Sequence, residues 1–148
     1  MSSAIEVPDV DRCAFCDYLD GLRPYTILRR SDLVATLVTR EQRGVAHLLV
    51  IPTRHCRTIL DISPGESAAL MQEIVAAAKT IEAVFTPAGI AVWQNNGIPA
   101  NQTIPHVHFH VAGTLEEGGT NWGDVDELAV AETDAIAARL LPVVKTFE

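Results

Sequence analysis

The sequence predicts an α+β domain: a mainly antiparallel sheet of about five strands, one long helix and a second helix near the C-terminus. Three observations support this class. Short segments rich in β-branched residues are bounded by turn residues. A helical period of apolar residues begins after Ser63 and stops at Pro87, and residues 106–111 alternate strictly between histidine and apolar side chains.

Two predicted strands precede the long helix. Residues 34–38 (VATLV) and 47–51 (HLLVI) consist almost entirely of aliphatic and β-branched residues, which favour extended backbone. Turn or breaker residues bound both segments, and Pro52 ends the second because proline cannot donate to a strand ladder.

The long helix has a clear N-terminal signal. Ser63 is the predicted N-cap, Pro64 fits the first helical position, and Glu66 completes a capping box. Apolar residues then recur with the helical period, and Pro87 and Gly89 end the segment. The members of this apolar series are Leu70, Ile74, Ala77, Ala78, Ile81, Val84 and Phe85.

Further segments follow the long helix. Residues 90–94 predict a strand that leads into a polar loop over residues 95–103, which is long for a hairpin and therefore a candidate functional loop. A second helix is predicted over residues 125–140, with Asp124 as its N-cap and an end before Pro142.

Length and composition indicate one domain with its own hydrophobic core. The chain has 148 residues, of which 48% are hydrophobic and 20% charged, so a disordered or collagen-like chain is excluded. Apolar runs stay well below the ~20 residues that a membrane-spanning helix needs. Residues 1–13 lack the layout of a signal peptide, and we therefore expect a soluble, cytoplasmic protein that does not bind membranes.

Charge is distributed unevenly along the chain. The formal net charge is −8, yet residues 115–148 alone contribute −6, while residues 23–57 have a local net charge of +5. An acidic protein is a poor non-specific ligand for DNA. The basic segment fits either a small anionic ligand or a set of solvated arginines, and both interpretations stay open at this point.

Three cysteines are too few, and odd in number, for a disulfide framework. Cys13 and Cys16 form a C-x-x-C pair, which in a reducing compartment indicates half of a metal site or a redox pair. The redox interpretation expects a βαβ unit around the pair, and the neighbouring residues lack that pattern. The pair alone does not decide the matter.

Three of the five histidines lie within five residues, at positions 106, 108 and 110. Successive strand residues point to opposite faces, so these imidazoles share one face at a spacing of roughly 6.5–7 Å, and the apolar residues between them face the core. Such a row fits the polar face of an edge strand, a metal site or a nucleophile for phosphate chemistry. As a nucleophile, a neutral imidazole attacks through one nitrogen while the other donates to a carbonyl.

Residues 106–112 (HVHFHVA) match the signature His-φ-His-φ-His-φ-φ, in which φ is apolar. In this respect the chain resembles the histidine triad family of nucleotide hydrolases and transferases. The resemblance covers roughly residues 12–112, so we expect one histidine-triad domain over residues 1–148, with residues 113–148 as a C-terminal extension. Other segments in the family's order and spacing are the C-x-x-C pair and residues 47–55, 95–97 and 101–103.

The resemblance implies an enzyme that acts at the α-phosphate of nucleoside monophosphate derivatives, such as those of AMP or GMP. His108 would attack phosphorus to form a nucleotidyl-histidine intermediate, His110 would contact the phosphate or the bridging atom, and Thr103 would lie near the leaving group. Phosphoramidates and adenylates are candidate substrates. Dinucleoside polyphosphate hydrolysis and nucleotidyl transfer are alternative activities, and a non-catalytic nucleotide-binding adaptor is an alternative of another class.

The resemblance also implies which residues hold the nucleotide. These are Asn95, Asn101, Gln102, Thr103 and His110. Residues 39–47 depart from the family pattern because the aspartate that grips the ribose is absent, so Thr39 or Arg40 would replace it. His47 would support the triad from a neighbouring strand, or would be an ordinary, partly buried histidine.

With its N-terminal C-x-x-C pair, the chain resembles a zinc-binding branch of the family. For this sequence the resemblance implies one zinc per chain, with Cys13, Cys16, His55 and His106 as its ligands. A Cys2His2 set leaves a tetrahedral ion no open position, so the zinc would be structural. The alternative is a pair of reduced thiols without metal. Cys56 is excluded as a ligand because adjacent residues of a strand point apart. The resemblance further implies a homodimer.

Overall fold

The computed structural model of the protein describes residues 4–144, so the first three and last four residues of the predicted domain lie outside the described residues. Five antiparallel strands form one sheet in the order β1-β2-β3-β5-β4. The α+β class, the long helix and the C-terminal helix are confirmed. The strands are β1 (Ile27–Arg30), β2 (Val34–Val38), β3 (Val45–Pro52), β4 (Ile90–Gln94) and β5 (Phe109–Gly113), and the helices are α1 (Ala14–Leu19), α2 (Pro64–Phe85) and α3 (Val130–Val144).

Helix α2 begins and ends where its sequence predicts. Ser63 Oγ accepts from the Glu66 amide at 3.1 Å, and a Glu66 carboxylate oxygen accepts from the Ser63 amide at 2.9 Å, which completes the capping box. The helix stops at Phe85, and Thr86 follows in the left-handed conformation with φ 46°. Its buried apolar face packs on the sheet together with α3, and burial of each large aliphatic side chain contributes about 1.5–3 kcal/mol.

Both faces of the central strands are covered, which explains their continuous apolar sequences. On one side Val34, Val38, Leu48 and Val50 pack against α2 and α3. On the other side the alternate residues of β2 and β3 pack against Phe15 and Leu19 of α1. These alternate residues are Ala35, Leu37, Leu49 and Ile51. Helix α1 therefore lies against the sheet face opposite to α2.

Strand β5 is shorter than the predicted strand over residues 106–111, because its ladder begins only at Phe109. Before that point the backbone makes other hydrogen bonds: the His106 amide donates to the Ile104 carbonyl at 2.8 Å, and the Val107 amide donates to the Cys56 carbonyl at 2.7 Å. The alternation of faces is preserved, since Phe109 and Val111 pack with the core under α2 and α3, whereas His108 contacts Phe15 of α1 on the opposite side.

The predicted second helix over residues 125–140 has the wrong bounds. Helix α3 begins at Val130 and continues through Pro142 to Val144. Residues 125–129 are not helical, and Arg40 holds them by two hydrogen bonds: the Leu128 amide donates to the Arg40 carbonyl at 2.8 Å, and Arg40 Nε donates to the Leu128 carbonyl at 2.6 Å. Pro142 lies inside the helix, where it lacks the amide proton for one backbone hydrogen bond. Among the described helices, none combines the length and the apolar character that crossing a membrane requires.

Candidate active site and metal centre

A cavity of about 250 Å³ lies where α1, β3 and β5 meet. It combines aromatic and aliphatic walls with a few charged and hydroxyl groups, a combination typical of small-molecule sites. Its lining residues are Phe15, Tyr18, Tyr25, Thr39, Arg40, Glu41, Arg43, His47, Leu49, Thr103, Ile104, His108, His110 and Glu127.

His108 is buried in the wall of this cavity and has a defined tautomer. Its Nδ1 lies 2.8 Å from the carbonyl oxygen of His106. A carbonyl can only accept, so Nδ1 donates its proton and the neutral ring keeps a lone pair on Nε2. Burial lowers the pKa of His108, and Phe15 packs edge-on against the ring at 5.1 Å. His108 is thus a neutral imidazole with one basic nitrogen.

His47 and His110 form a second, linked imidazole pair. The Arg43 amide donates to His47 Nδ1 at 3.1 Å, which leaves the His47 proton on Nε2. His47 Nε2 lies 2.9 Å from His110 Nδ1 and donates to it, so neutral His110 has its own proton on Nε2. Burial, followed by the charge of Arg43, lowers the pKa of His47 to about 3. Burial, followed by the neighbouring His108 and His47, lowers the pKa of His110 to about 2.

Cys13, Cys16, His55 and His106 form a compact cluster beside the cavity, with one donor atom of each residue within 4.8 Å of all the others. Cys13 Sγ lies 3.4 Å from His106 Nδ1, and Cys16 Sγ lies 3.4 Å from His55 Nδ1 and 3.6 Å from His106 Nδ1. Tetrahedral zinc with ordinary bond lengths separates a sulfur from a nitrogen ligand by about 3.6 Å. The observed spacings fit that geometry.

The protonation of the cluster also fits a cation. His106 Nε2 lies 2.8 Å from the Pro52 carbonyl and donates to it, so Nδ1 presents a lone pair towards the thiols. Burial and the hydrogen bond with Cys13 raise the pKa of Cys16 to about 12. The thiolate is therefore unfavourable without a cation among the four donor atoms.

Cys56 lies apart from this cluster. It is buried, and its Sγ is 3.9 Å from a carboxylate oxygen of Glu66. Arg54 makes two hydrogen bonds to the same carboxylate, at 3.1 and 2.8 Å. Cys56 thus belongs to the contact between α2 and the loop after β3.

The predicted nucleotide-binding residues divide into two groups. Thr39, Arg40, Thr103 and His110 line the cavity, whereas three further residues lie outside its lining, in the loop between β4 and β5. They are Asn95, Asn101 and Gln102. The side chain of Gln102 bonds to backbone atoms: it accepts from the Gly97 amide and donates to the Arg57 and Ile104 carbonyls, at 2.7–2.9 Å.

Several cavity residues were not expected from the sequence. Tyr18 and Tyr25 stack with ring centroids 3.9 Å apart, and Glu127 reaches the cavity from the C-terminal extension. Trp93 does not line the cavity, but its indole stacks on the imidazole of His110. Aromatic residues make up only 5% of the chain, and their concentration around the triad becomes visible only in the folded structure.

Comparison with known proteins supplies a family. A model of the HIT domain matches residues 22–117. An asymmetrical bis(5′-nucleosyl)-tetraphosphatase of Schizosaccharomyces pombe is 32% identical over 85 residues, which are 57% of this chain and 47% of that protein. The chain thus spans about half the length of that relative. An adenosine 5′-monophosphoramidase of the same organism is 32% identical over 99 residues, 67% of this chain and 71% of that protein.

Solved structures share the fold. A zinc-bound histidine triad family protein from Mycobacterium smegmatis superimposes with a TM-score of 0.77 at 20% identity, over 92% of this chain and 97% of that one. At this identity the likeness establishes the architecture of the sheet and helices.

Proposed function

The chain belongs to the HIT domain family, and its relatives include a tetraphosphatase and a monophosphoramidase that act on nucleotides. From that premise we propose that it hydrolyses nucleoside monophosphate derivatives at the α-phosphate. The substrates would be phosphoramidates or adenylates, AMP and GMP derivatives among them. The observation that carries this proposal is the state of His108: a buried, neutral imidazole whose Nδ1–H is held by a carbonyl and whose Nε2 is basic.

In the proposed reaction His108 Nε2 attacks the α-phosphorus while the bond to the leaving group breaks. The leaving group takes a proton from solvent water, and a nucleotidyl-histidine remains. Bond formation gives the His108 ring positive charge, which the His106 carbonyl stabilises because Nδ1–H donates to it at 2.8 Å. Water then attacks phosphorus and releases a proton to the solvent, and the nucleotide leaves as His108 regains its lone pair.

His110 and Thr103 are the proposed partners of the reacting phosphate. The Nε2–H of His110 is available to donate to the phosphate, because Nδ1 already accepts from His47. A donor placed beside a phosphoryl oxygen or the bridging atom stabilises charge that develops in the transition state. Thr103 lines the same cavity and would lie near the leaving group.

The nucleoside would occupy the rest of the cavity. Aromatic and aliphatic walls suit a base, and Thr39 and Arg40 are the proposed ribose contacts in place of the family's aspartate. Asn95 and Asn101 stay predictions as nucleotide ligands. For Gln102 the hydrogen bonds to the loop backbone support an indirect role, in which it shapes the loop that ends at Thr103.

We propose one structural zinc per chain at the cluster of Cys13, Cys16, His55 and His106. The four donor atoms fill a tetrahedral site, so the ion would cross-link α1 to the backbone that precedes β5 and would not bind substrate. His108 stays outside this set and is free for attack on phosphorus.

Dinucleoside polyphosphate hydrolysis is the second candidate activity. It is favoured by the similarity to the tetraphosphatase and by two arginines, Arg40 and Arg43, in the cavity wall. Glu41 and Glu127 line the same cavity and offset their charge, which favours substrates with a shorter phosphate chain.

The test is AMP release from a fluorogenic adenosine phosphoramidate, compared with diadenosine polyphosphates by kcat/KM. We expect turnover of both classes, with the phosphoramidate preferred because the cavity charge is balanced. Binding of AMP without turnover of any of these compounds would identify a non-catalytic adaptor and reject the proposal.

We further propose that the protein is a homodimer. Strand β4 is at the edge of the sheet and is only half-buried, with Val92 50% exposed, and an exposed edge of this kind is usually covered. A second copy of the chain would cover it symmetrically. Light scattering should give about twice the 16.0 kDa mass of the chain. A stable monomer at micromolar concentration would contradict the dimer.

A further inference from the structure

Trp93 and His110 are direct partners in the ladder between β4 and β5. Residues that face each other in an antiparallel pair extend their side chains on the same face of the sheet. Here the two rings stack with centroids 4.7 Å apart and planes only 4° from parallel. The indole thus covers one face of the imidazole.

The other contacts of His110 do not by themselves fix the plane of its ring. His47 holds Nδ1 at 2.9 Å, and His108 approaches edge-on, with ring centroids 5.1 Å apart. One hydrogen bond fixes the position of one ring atom and still allows the ring to tilt about it. The parallel indole opposes that tilt. Trp93 also contacts His47, at 5.1 Å between centroids, so it supports both members of the pair.

We propose that Trp93 is a positioning residue that fixes the plane of His110, so that the Nε2–H of His110 points at the reacting phosphate. The inference rests on the proposed function. Trp93 lies outside the cavity lining, so it acts through His110 and through His47, the hydrogen-bond partner of His110. Its position on a half-buried edge strand does not by itself require so large a side chain, and the stack on His110 supplies a reason for it.

The experiment compares Trp93→Leu and Trp93→Phe with a matched control, Trp122→Leu, in the full zinc-loaded chain. Trp122 is 76% exposed and meets Trp93 only obliquely, at 6.0 Å and 47°. The adenosine phosphoramidate reports kcat and KM, thermal unfolding reports stability, and the ring protons of His110 report the stack by NMR.

We expect Trp93→Leu to lower kcat by about 10- to 100-fold, because a ring displaced by about 1 Å misdirects its donor. KM should change by less than about threefold, since the contact strengthens in the transition state. Trp93→Phe retains a stacking ring and should keep kcat within about threefold, as should Trp122→Leu. The His110 ring protons should resonate upfield in the wild type and move downfield in Trp93→Leu.

A folded Trp93→Leu with near wild-type kcat, or with unchanged His110 resonances, would overturn the inference. If that variant does not fold, the wild-type spectrum decides: His110 ring protons at ordinary shifts mean that the stack is absent. A wild type without turnover rejects the proposed function. Even then, the chemical shifts of the His110 ring protons in the wild type and in Trp93→Phe show whether an aromatic ring stacks on His110.

Discussion

Replacement of His108 by Asn should reduce turnover by at least about 10⁴-fold, because it removes the nitrogen that we propose attacks phosphorus. Asn retains an amide donor for the His106 carbonyl, which His108 Nδ1 contacts at 2.8 Å, so the buried backbone keeps a partner. The cavity should accordingly keep its shape. We expect the Kd for AMP to stay within about threefold of the wild type, since positioning contacts are preserved.

Mass spectrometry of quenched reactions provides the direct measurement for His108. The wild type should show one added nucleotidyl group per chain during turnover, and the Asn variant none. AMP binding and the unfolding midpoint serve as controls for the integrity of the variant. A variant that retains most of its kcat, or that still forms the adduct, would remove His108 from the role of nucleophile.

The sequence predicts elements whose signals are local. The capping box at Ser63 and the apolar period behind it specify α2 from its first residue to its last. Asp124 is an equally good local cap, yet α3 begins at Val130, because two hydrogen bonds between Arg40 and the backbone of Leu128 hold the preceding segment out of the helix. A tertiary hydrogen bond here outweighs a local preference.

Short elements have too few residues for a period to emerge. Helix α1 has 6 residues and β1 has 4, and neither was predicted. Helix α1 is nevertheless important to the site, because Cys13 is its N-cap and Phe15 packs against His108. Its position depends on contacts with distant parts of the chain, which no local window contains.

The same distinction applies to the site residues. The four residues of the candidate metal cluster and the roles of the triad were implied by the resemblance to the histidine triad family, whose motifs place residue types at set positions. Trp93 reaches the site through the pairing of β4 with β5, Tyr25 through its stack on Tyr18, and Glu127 through the return of the C-terminal extension. His47 illustrates the intermediate case: its sequence position allowed two roles, and its 2.9 Å hydrogen bond identifies it as the partner of His110.

The double change Cys13→Ser and Cys16→Ser should release the zinc and lower stability more than it lowers intrinsic activity. An ion present at 1,000 times its Kd stabilises the fold by about 4 kcal/mol, which in a domain of this size corresponds to roughly 8–16 °C in Tm. His108 and His110 lie outside the ligand set, so kcat measured well below the new Tm should fall by less than about tenfold. Elemental analysis and thermal unfolding are the measurements.

Cys56→Ser provides the matched control, because this thiol follows His55 directly and yet contacts Glu66 outside the cluster. It should keep one zinc per chain. Zinc affinity of the wild type should fall as the pH drops, since protons compete with the metal for the thiolates and imidazoles. Burial already lowers the pKa of His106 to about 4, so Nδ1 of this residue is free for the metal at neutral pH. Two results would contradict the proposed centre: a wild type purified without chelator that contains no metal, or a double variant that still binds zinc with unchanged Tm. His106 would then be a purely structural residue that donates a hydrogen bond to the Pro52 carbonyl.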